Sequence, residues 1–161
     1  MLSFFIFKPI TMNDTNPIIS IINQVPLFQD LTPDSVELLS QKITLEYYPA
    51  NRVIFKQDEQ GDAMYIIKKG QVRIYQGDDD KPYNQTILAT LTDGSFFGEM
   101  ALVNEQERIA SAKTIEESEI FILKKDDFYT LINENPSVAE QISSEFISRI
   151  KENMRNENFT E

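Results

Sequence analysis

The spacing of hydrophobic and polar residues changes twice along the chain, which predicts a β region between two helical regions. Residues 17–44 have helical spacing, interrupted at Pro26, and a helix is expected to begin at Pro33 with Thr32 as its N-cap. Between residues 45 and 123, short runs rich in β-branched and aromatic residues alternate with turn residues. Helical spacing returns after Leu123.

Eight segments of the middle region have the length and composition of strands. Among their aromatic residues, we expect Tyr65, Tyr75, Phe96 and Phe97 to be structural core residues. Eight short strands at this spacing predict a sandwich or a barrel-like roll. The segments read LEYY, RVIFK, AMYIIKK, QVRIYQ, QTILATL, SFF, SAKTI and EIFILKK.

The region after Leu123 predicts two helices. The first, in KKDDFYTLINENP, should end before Pro136, because the residue before a proline disfavours the helical conformation. The second should extend from Ser137 to about Asn156, and its stripe faces either the core or a dimer partner. The stripe residues recur every fourth position, at Val138, Ile142, Phe146, Ile150 and Met154.

No internal repeat or interdomain linker is visible, so we predict a single domain over residues 17–161. Its β roll is expected over residues 45–123 and its C-terminal helices over 125–156. Residues 1–16 are interpreted as a loose N-terminal extension. Their apolar run in MLSFFIFKPITM has no preceding basic residue and is too short to span a membrane. We therefore expect a cytoplasmic protein without membrane contact, starting at Met1 or at Met12.

Composition and charge exclude several classes of function. The 161 residues carry a net charge of −11, so nucleic acid is not expected as a partner and any anion site must be built locally. The chain contains no His and no Cys, which excludes imidazole metal sites, cysteine nucleophiles and His-dependent triads. A metal or acid/base site made of carboxylates alone is left open by the composition, but we expect no metal and no catalytic activity.

Two charged residues lie in apolar surroundings nine positions apart, Glu99 in FFGEMAL and Arg108 in RIASA. Charged side chains are seldom buried unless they are paired or functional. Free N–H groups of a helical turn beginning after Gly98 attract an anion, and the planar guanidinium of Arg108 suits phosphate oxygens. The carboxylate of Glu99 can accept a hydrogen bond from a sugar hydroxyl. Together these groups predict a site for a sugar phosphate.

These residues resemble the phosphate-binding cassette of the cyclic nucleotide-binding domain family. The family includes bacterial catabolite activator proteins, regulatory subunits of cAMP-dependent protein kinase and cyclic nucleotide-gated channels. Its cassette reads F-G-E-[LIM]-A-L, a variable loop and R-[AST]-A-[ST], which FGEMAL and RIASA match at nearly every position. The resemblance covers roughly residues 20–155, including VPLFQDLTPDSVELL, YPANRVIFKQDEQGDAMYIIKKGQVRIY and LTDGSFFGE.

The resemblance implies a fold and a set of ligand-binding residues. The fold is mainly β with flanking α: an antiparallel, jelly-roll-like double-stranded β-helix with N-terminal helices and a C-terminal helix that serves as lid and dimer interface. Glu99 would bind the ribose 2′-hydroxyl and Arg108 the cyclic phosphate. The remaining cassette residues would contribute contacts around sugar and phosphate, and the lid would contribute contacts to the base. These are Gly98, Met100, Ala101, Ile109 and Ala110 in the cassette, and Asn153 and Met154 in the lid.

Three positions depart from the family pattern. Asn51 and Asp58 stand where glycine is usual, and both residue types tolerate positive φ. Ile109 replaces a small or hydroxyl-bearing residue, so its branched side chain can crowd the pocket. A hydroxyl at this position would favour cGMP, and its absence favours cAMP over cGMP as the ligand.

The resemblance leaves two interpretations of function open. In the first, the chain is a stand-alone receptor for a cyclic nucleotide, with cAMP preferred, because only RNENFTE follows the last predicted helix. Ligand binding would then be relayed through the C-terminal helix to an unknown effector protein or within a homodimer. In the second, Glu99 and Arg108 pair with each other in a vestigial site, and the chain is a nucleotide-independent protein-interaction module.

Overall fold

The computed structural model describes residues 17–103 and 106–142 of the chain. The helices are α1 (Pro17–Ile22), α2 (Pro33–Ser40), α3 (Lys125–Glu134) and α4 (Pro136–Gln141), with 3-10 turns at Pro26–Phe28, Pro82–Asn84 and Glu99–Leu102. The strands are β1 (Thr44–Tyr48), β2 (Val53–Phe55), β3 (Ala63–Lys69), β4 (Val72–Gln76), β5 (Thr86–Leu91), β6 (Phe96–Phe97), β7 (Ser111–Thr114) and β8 (Ser118–Lys124).

The strands form two four-stranded antiparallel sheets, ordered β1-β8-β3-β6 and β2-β7-β4-β5. The predicted mainly β roll with flanking helices is therefore confirmed, and each of the eight predicted segments overlaps one strand. The predicted N-cap is also present: Thr32 Oγ1 accepts a hydrogen bond from the Ser35 N–H at 3.4 Å. This bond satisfies one of the free donors at the start of α2.

The prediction of one continuous helix from Ser137 to Asn156 is wrong at Ile142. Helix α4 ends at Gln141, and Ile142 has the extended backbone angles φ −80° and ψ 137°. The Gln141 side chain accepts a hydrogen bond from the Thr32 N–H at 2.8 Å, which fixes the end of α4 against the start of α2. Two serines follow Ile142, and serine side chains compete for the backbone hydrogen bonds of a helix. Residues 143–161, like residues 1–16, lie outside the described part of the chain.

Strand β3 is buried on both faces, which explains why it reads as a continuous apolar run. Met64 and Ile66 belong to one core cluster, which joins the first sheet to the four helices. Tyr65 and Ile67 belong to a second cluster, which joins the two sheets. Successive strand residues point to opposite faces, so β3 serves both clusters at once. Any group attached to β3 therefore has a rigid support.

The N-terminal helical residues are part of the main core. Phe28 is fully buried, and its ring centroid lies 5.8 Å from that of Phe128 on α3 in an edge-to-face arrangement. We predict that Phe28→Ala lowers the free energy of unfolding by about 3–5 kcal/mol, measured by urea denaturation, because a large cavity is left. The control Tyr83→Ala removes a ring that is 80 % exposed and should change stability by less than about 0.5 kcal/mol. Equal stability of the two variants would contradict this packing.

Candidate functional site

The turn Glu99–Leu102 is held at both ends. On one side, Phe97 of β6 pairs with Tyr65 of β3, and Gly98 then adopts the left-handed conformation with φ 76° and ψ 12°. On the other side, Leu102 is fully buried in the cluster that contains the helices. Within the turn, the Ala101 N–H donates to the Gly98 carbonyl at 3.1 Å. The turn is therefore a fixed part of the roll.

A second segment fixes the backbone of Arg108. Its N–H donates to the Glu59 carbonyl at 2.7 Å, and its carbonyl accepts from the Asp58 N–H at 2.8 Å. Asp58 has φ 72° and Asn51 has φ 61°, so both non-glycine residues adopt the positive φ that was predicted for them. The turn around Asp58 thereby sets the position from which the Arg108 side chain extends.

The guanidinium of Arg108 is buried in the site, and the residue is 8 % exposed. Nη2 donates to the Ala63 carbonyl at 2.7 Å, and Nη1 donates to the Gly98 carbonyl at 3.5 Å. Nε is buried and has no hydrogen-bond acceptor among the described residues. The side chain is therefore tied to β3 and to the turn, and it retains a donor that a bound oxyanion could satisfy.

The charge of Arg108 has no carboxylate partner within the described residues. The ion pairs there join Lys56 to Asp79 and Lys68 to Glu119. The Glu99–Arg108 pair required by the vestigial interpretation is therefore not formed. Leaving a buried cation unpaired is costly. The arrangement is better suited to a site whose anion comes from a ligand.

The electrostatic environment of Arg108 has opposing components. Burial lowers the pKa of the Arg108 guanidinium, because desolvation disfavours the charged form. Tyr65, and more weakly the carboxylates of Asp62 and Glu59, act in the other direction and favour the charged form. Arginine remains protonated at neutral pH, so the site presents one fixed positive charge in a chain of net charge −11.

Three of the predicted site residues meet at the guanidinium. A Cβ at Gly98 would lie 2.7 Å from Arg108 Nη1. A Cβ at Gly61 would lie 3.0 Å from Ala101 Cβ and 3.5 Å from Arg108 Cζ. The absence of side chains at the two glycines is therefore what allows the guanidinium and the turn to approach each other. Gly98, Ala101 and Arg108 are thus brought together, and their contacts with a ligand remain a prediction.

The other predicted cassette residues differ in their exposure to solvent. Glu99 is half-buried, Met100 is exposed and Ala110 is buried. The sequence suggested that the branched side chain of Ile109 crowds the site. In the structure this side chain is 76 % exposed, so it does not. Its carbonyl accepts a hydrogen bond from Gln76 Nε2 at 2.9 Å. The predicted lid residues, Asn153 and Met154, lie outside the described residues.

Aromatic residues around Arg108 were not identified as site residues from the sequence. The Phe55 ring centroid lies 4.1 Å from Arg108 Cζ, and the Tyr65 centroid lies 5.8 Å from it. Tyr65 and Phe97 were expected in the core, and both are buried there. Phe55 carries no sequence signal for this role, because strand alternation gives the face of a side chain but not its neighbour. The Ala63 carbonyl is equally invisible, since every residue type has one.

Residues 17–103 and 106–142 lack two other features that would indicate a function. No group of three or more His, Cys, Asp or Glu side chains there could hold a metal ion. No helix in this part of the chain is long and apolar enough to cross a membrane.

Comparison with known proteins agrees with the motif. The family description "Cyclic nucleotide-binding domain" matches residues 45–135. The chain is 35 % identical over 127 residues to the cyclic AMP receptor protein of Thermus thermophilus, covering 79 % of this chain and 58 % of that one. It is 32 % identical over 124 residues to the cGMP-dependent protein kinase isozyme 1 of Drosophila melanogaster, covering 76 % of this chain and 16 % of the kinase. Both relatives are thus considerably longer than the region they share with it.

A solved structure agrees with the fold as well. The crystal structure of the Thermus thermophilus catabolite activator protein superposes with a TM-score of 0.60 at 33 % sequence identity. The superposition covers 83 % of this chain and 62 % of that one.

We predict that Gly98→Ala destabilises the protein more than Gly94→Ala. The two glycines have similar φ values, 76° and 82°, so both substitutions carry a strain of about 1–2 kcal/mol. A Cβ at Gly94 has no heavy atom within 4 Å, whereas one at Gly98 meets the Arg108 guanidinium. Urea denaturation measures the difference. Equal losses of stability would mean that the guanidinium is not packed against Gly98.

Proposed function

Because the chain belongs to the cyclic nucleotide-binding domain family, we propose that the turn Gly98–Leu102 and Arg108 bind a cyclic nucleotide, and that this ligand is cAMP. The observation that supports this most directly is the Arg108 guanidinium, which is buried without a carboxylate partner among the described residues. A bound phosphodiester would supply the missing negative charge. The relatives named above, one for cyclic AMP and one for cGMP, support the ligand class.

The phosphate is the part of the ligand for which the geometry gives most support. A cyclic phosphodiester carries one negative charge, which one guanidinium can balance. Its oxygens would accept from Arg108 Nε–H and from a neighbouring N–H, the bidentate arrangement that arginine favours with oxyanions. The overall charge of −11 repels anions, so this local cation is required for binding.

The sugar is assigned to Glu99. Glu99 is the first residue of the turn, directly after Gly98. The residue is half-buried, so its carboxylate remains open to a ligand. We propose that it accepts a hydrogen bond from the ribose 2′-hydroxyl. The rest of the proposed contact set is the cassette itself: Gly98, Met100, Ala101, Ile109 and Ala110.

The preference for cAMP rests on Ile109. This residue has no hydroxyl with which to bind a guanine base, and its side chain is directed to solvent. The relatives include a cGMP-dependent kinase, so titration with both nucleotides is the appropriate test.

The output is proposed to be a signal and not a reaction. Binding would be relayed through the C-terminal helix to an effector protein or to a second copy of the chain, in the cytoplasm. The described part of this route is α4, whose Gln141 is hydrogen-bonded to Thr32 at the start of α2. The relay requires two positions of the C-terminal helix in equilibrium. A ligand shifts that equilibrium only if it binds the protein more tightly in one helix position than in the other.

We predict that Arg108→Ala weakens cAMP binding by about tenfold to 150-fold, since a hydrogen bond to a charged group contributes about 1.5–3 kcal/mol. Isothermal titration calorimetry measures the affinity, with cGMP titrated in parallel. Arg73→Ala is the matched control: its Nε is also buried without an acceptor, but it lies on β4, paired with Thr90 and Lys113, and should leave affinity unchanged.

Two results would contradict the proposal. Unchanged cAMP affinity in Arg108→Ala would remove this residue from the site. Absence of any thermal shift with wild type at millimolar cAMP and cGMP would favour the nucleotide-independent interaction module, because saturating ligand stabilises a folded protein measurably.

We predict that Glu99→Ala removes discrimination between cAMP and 2′-deoxy-cAMP. Wild type should bind cAMP at least about tenfold more tightly, because the carboxylate accepts a charge-assisted hydrogen bond from the 2′-hydroxyl. The variant should bind the two nucleotides equally. Titration of both proteins with both nucleotides gives the four affinities, and persistent discrimination in Glu99→Ala would assign the sugar contact to another residue.

A further inference from the structure

We propose that Phe55 is a positioning residue for Arg108: its ring holds the guanidinium plane in the orientation that binds the anion. This inference rests on the proposed function, because it concerns how the same site is prepared for its ligand. Phe55 lies at the end of β2, 53 positions before Arg108 in the sequence. Its centroid is 4.1 Å from Arg108 Cζ, which is stacking distance for a guanidinium on an aromatic face.

The hydrogen bonds of Arg108 alone constrain its guanidinium weakly. The bond from Nη2 to the Ala63 carbonyl is short, at 2.7 Å, but the bond from Nη1 to the Gly98 carbonyl is at the 3.5 Å limit. With one short hydrogen bond and an electrostatic attraction to Tyr65, the group can still rotate about that bond. A ring beneath Cζ opposes this rotation, because turning the guanidinium would weaken its contact with the ring face. Phe55 thereby supplies the orientation that the hydrogen bonds leave open.

The ring also makes burial of the charge tolerable. Arg108 is 8 % exposed and has no described carboxylate partner, so its desolvation is offset by few contacts. An aromatic face attracts a cation through its quadrupole and leaves the in-plane N–H groups free. A carboxylate would stabilise the cation as well, but it would occupy the donors that the ligand needs. An aromatic residue is therefore suited to an anion site that is empty between binding events.

Phe55 is in contact with two other rings. Its centroid lies 5.6 Å from that of Tyr65 and 6.0 Å from that of Phe97, and the latter two rings stack at 5.1 Å. Within the described residues, the rings that face the Arg108 guanidinium are Phe55 and Tyr65. Phe97 thus belongs to the same aromatic cluster without facing the cation, which makes it a matched control.

The first experiment compares cAMP affinities by calorimetry. We expect Phe55→Leu to weaken binding by about twofold to 30-fold, the range of a cation–π contact, whereas Phe97→Leu changes it by less than twofold. Phe55→Tyr keeps an aromatic face and should retain affinity. In an Arg108→Ala background, Phe55→Leu should cause no further loss, because its partner has been removed. If Phe55→Leu does not fold, Phe55→Met provides the same comparison.

The second experiment needs no nucleotide. The Arg108 Nε–H resonance, assigned by its loss in Arg108→Ala, should be displaced upfield by the Phe55 ring. Phe55→Leu should abolish this displacement, and Phe97→Leu should keep most of it. This readout reports orientation of the guanidinium directly and is not moved by a general loss of stability.

The outcomes separate this inference from the proposed function. Failure of wild type to bind cAMP or cGMP overturns the proposed function, and the inference with it. Normal binding by wild type and Phe55→Leu alike overturns the inference alone. Equal losses in Phe55→Leu and Phe97→Leu, or an additive loss in the Arg108→Ala background, would also overturn it, because they indicate general packing.

Discussion

The burial of one guanidinium is the constraint on which the site depends. Desolvating Arg108 is unfavourable, and the structure offsets this with the Ala63 and Gly98 carbonyls and the face of Phe55. None of these groups carries a formal negative charge. Two glycines, at positions 61 and 98, leave the space in which the charge is held. The fold thus concentrates a positive charge at one internal point of an acidic protein, where an anionic ligand completes the balance.

Strand β3 provides the framework for this arrangement. It contributes the Ala63 carbonyl at its first residue, the Tyr65 ring behind Phe55, and the pairing with β6 that leads into Gly98. Both of its faces are buried, so these groups share one rigid support. The geometry of the site therefore follows from strand pairing, even though the motif that marks it in the sequence lies mostly in turns and loops.

The sequence predicted the elements well, because alternation and helical spacing are local properties. It located all eight strands and the Thr32 cap. The prediction was wrong at Ile142, where the last described helix has ended. A contact with the distant Thr32 fixes the end of that helix, and local spacing does not show such a contact. The direction of Ile109 and the role of Phe55 depend on residues far along the chain, so local spacing could not reveal them. The residue-by-residue ligand contacts remain predictions.

The shared core of the turn and the last described helices has a mechanical consequence. Leu102 and Val103 lie in the same apolar cluster as Leu131 of α3 and Val138 of α4, and the turn contacts α3 directly. A close-packed interior cannot absorb a displacement by opening a void, so neighbouring elements have to move together. A displacement of the turn is therefore expected to be transmitted to α3 and α4 through this apolar cluster.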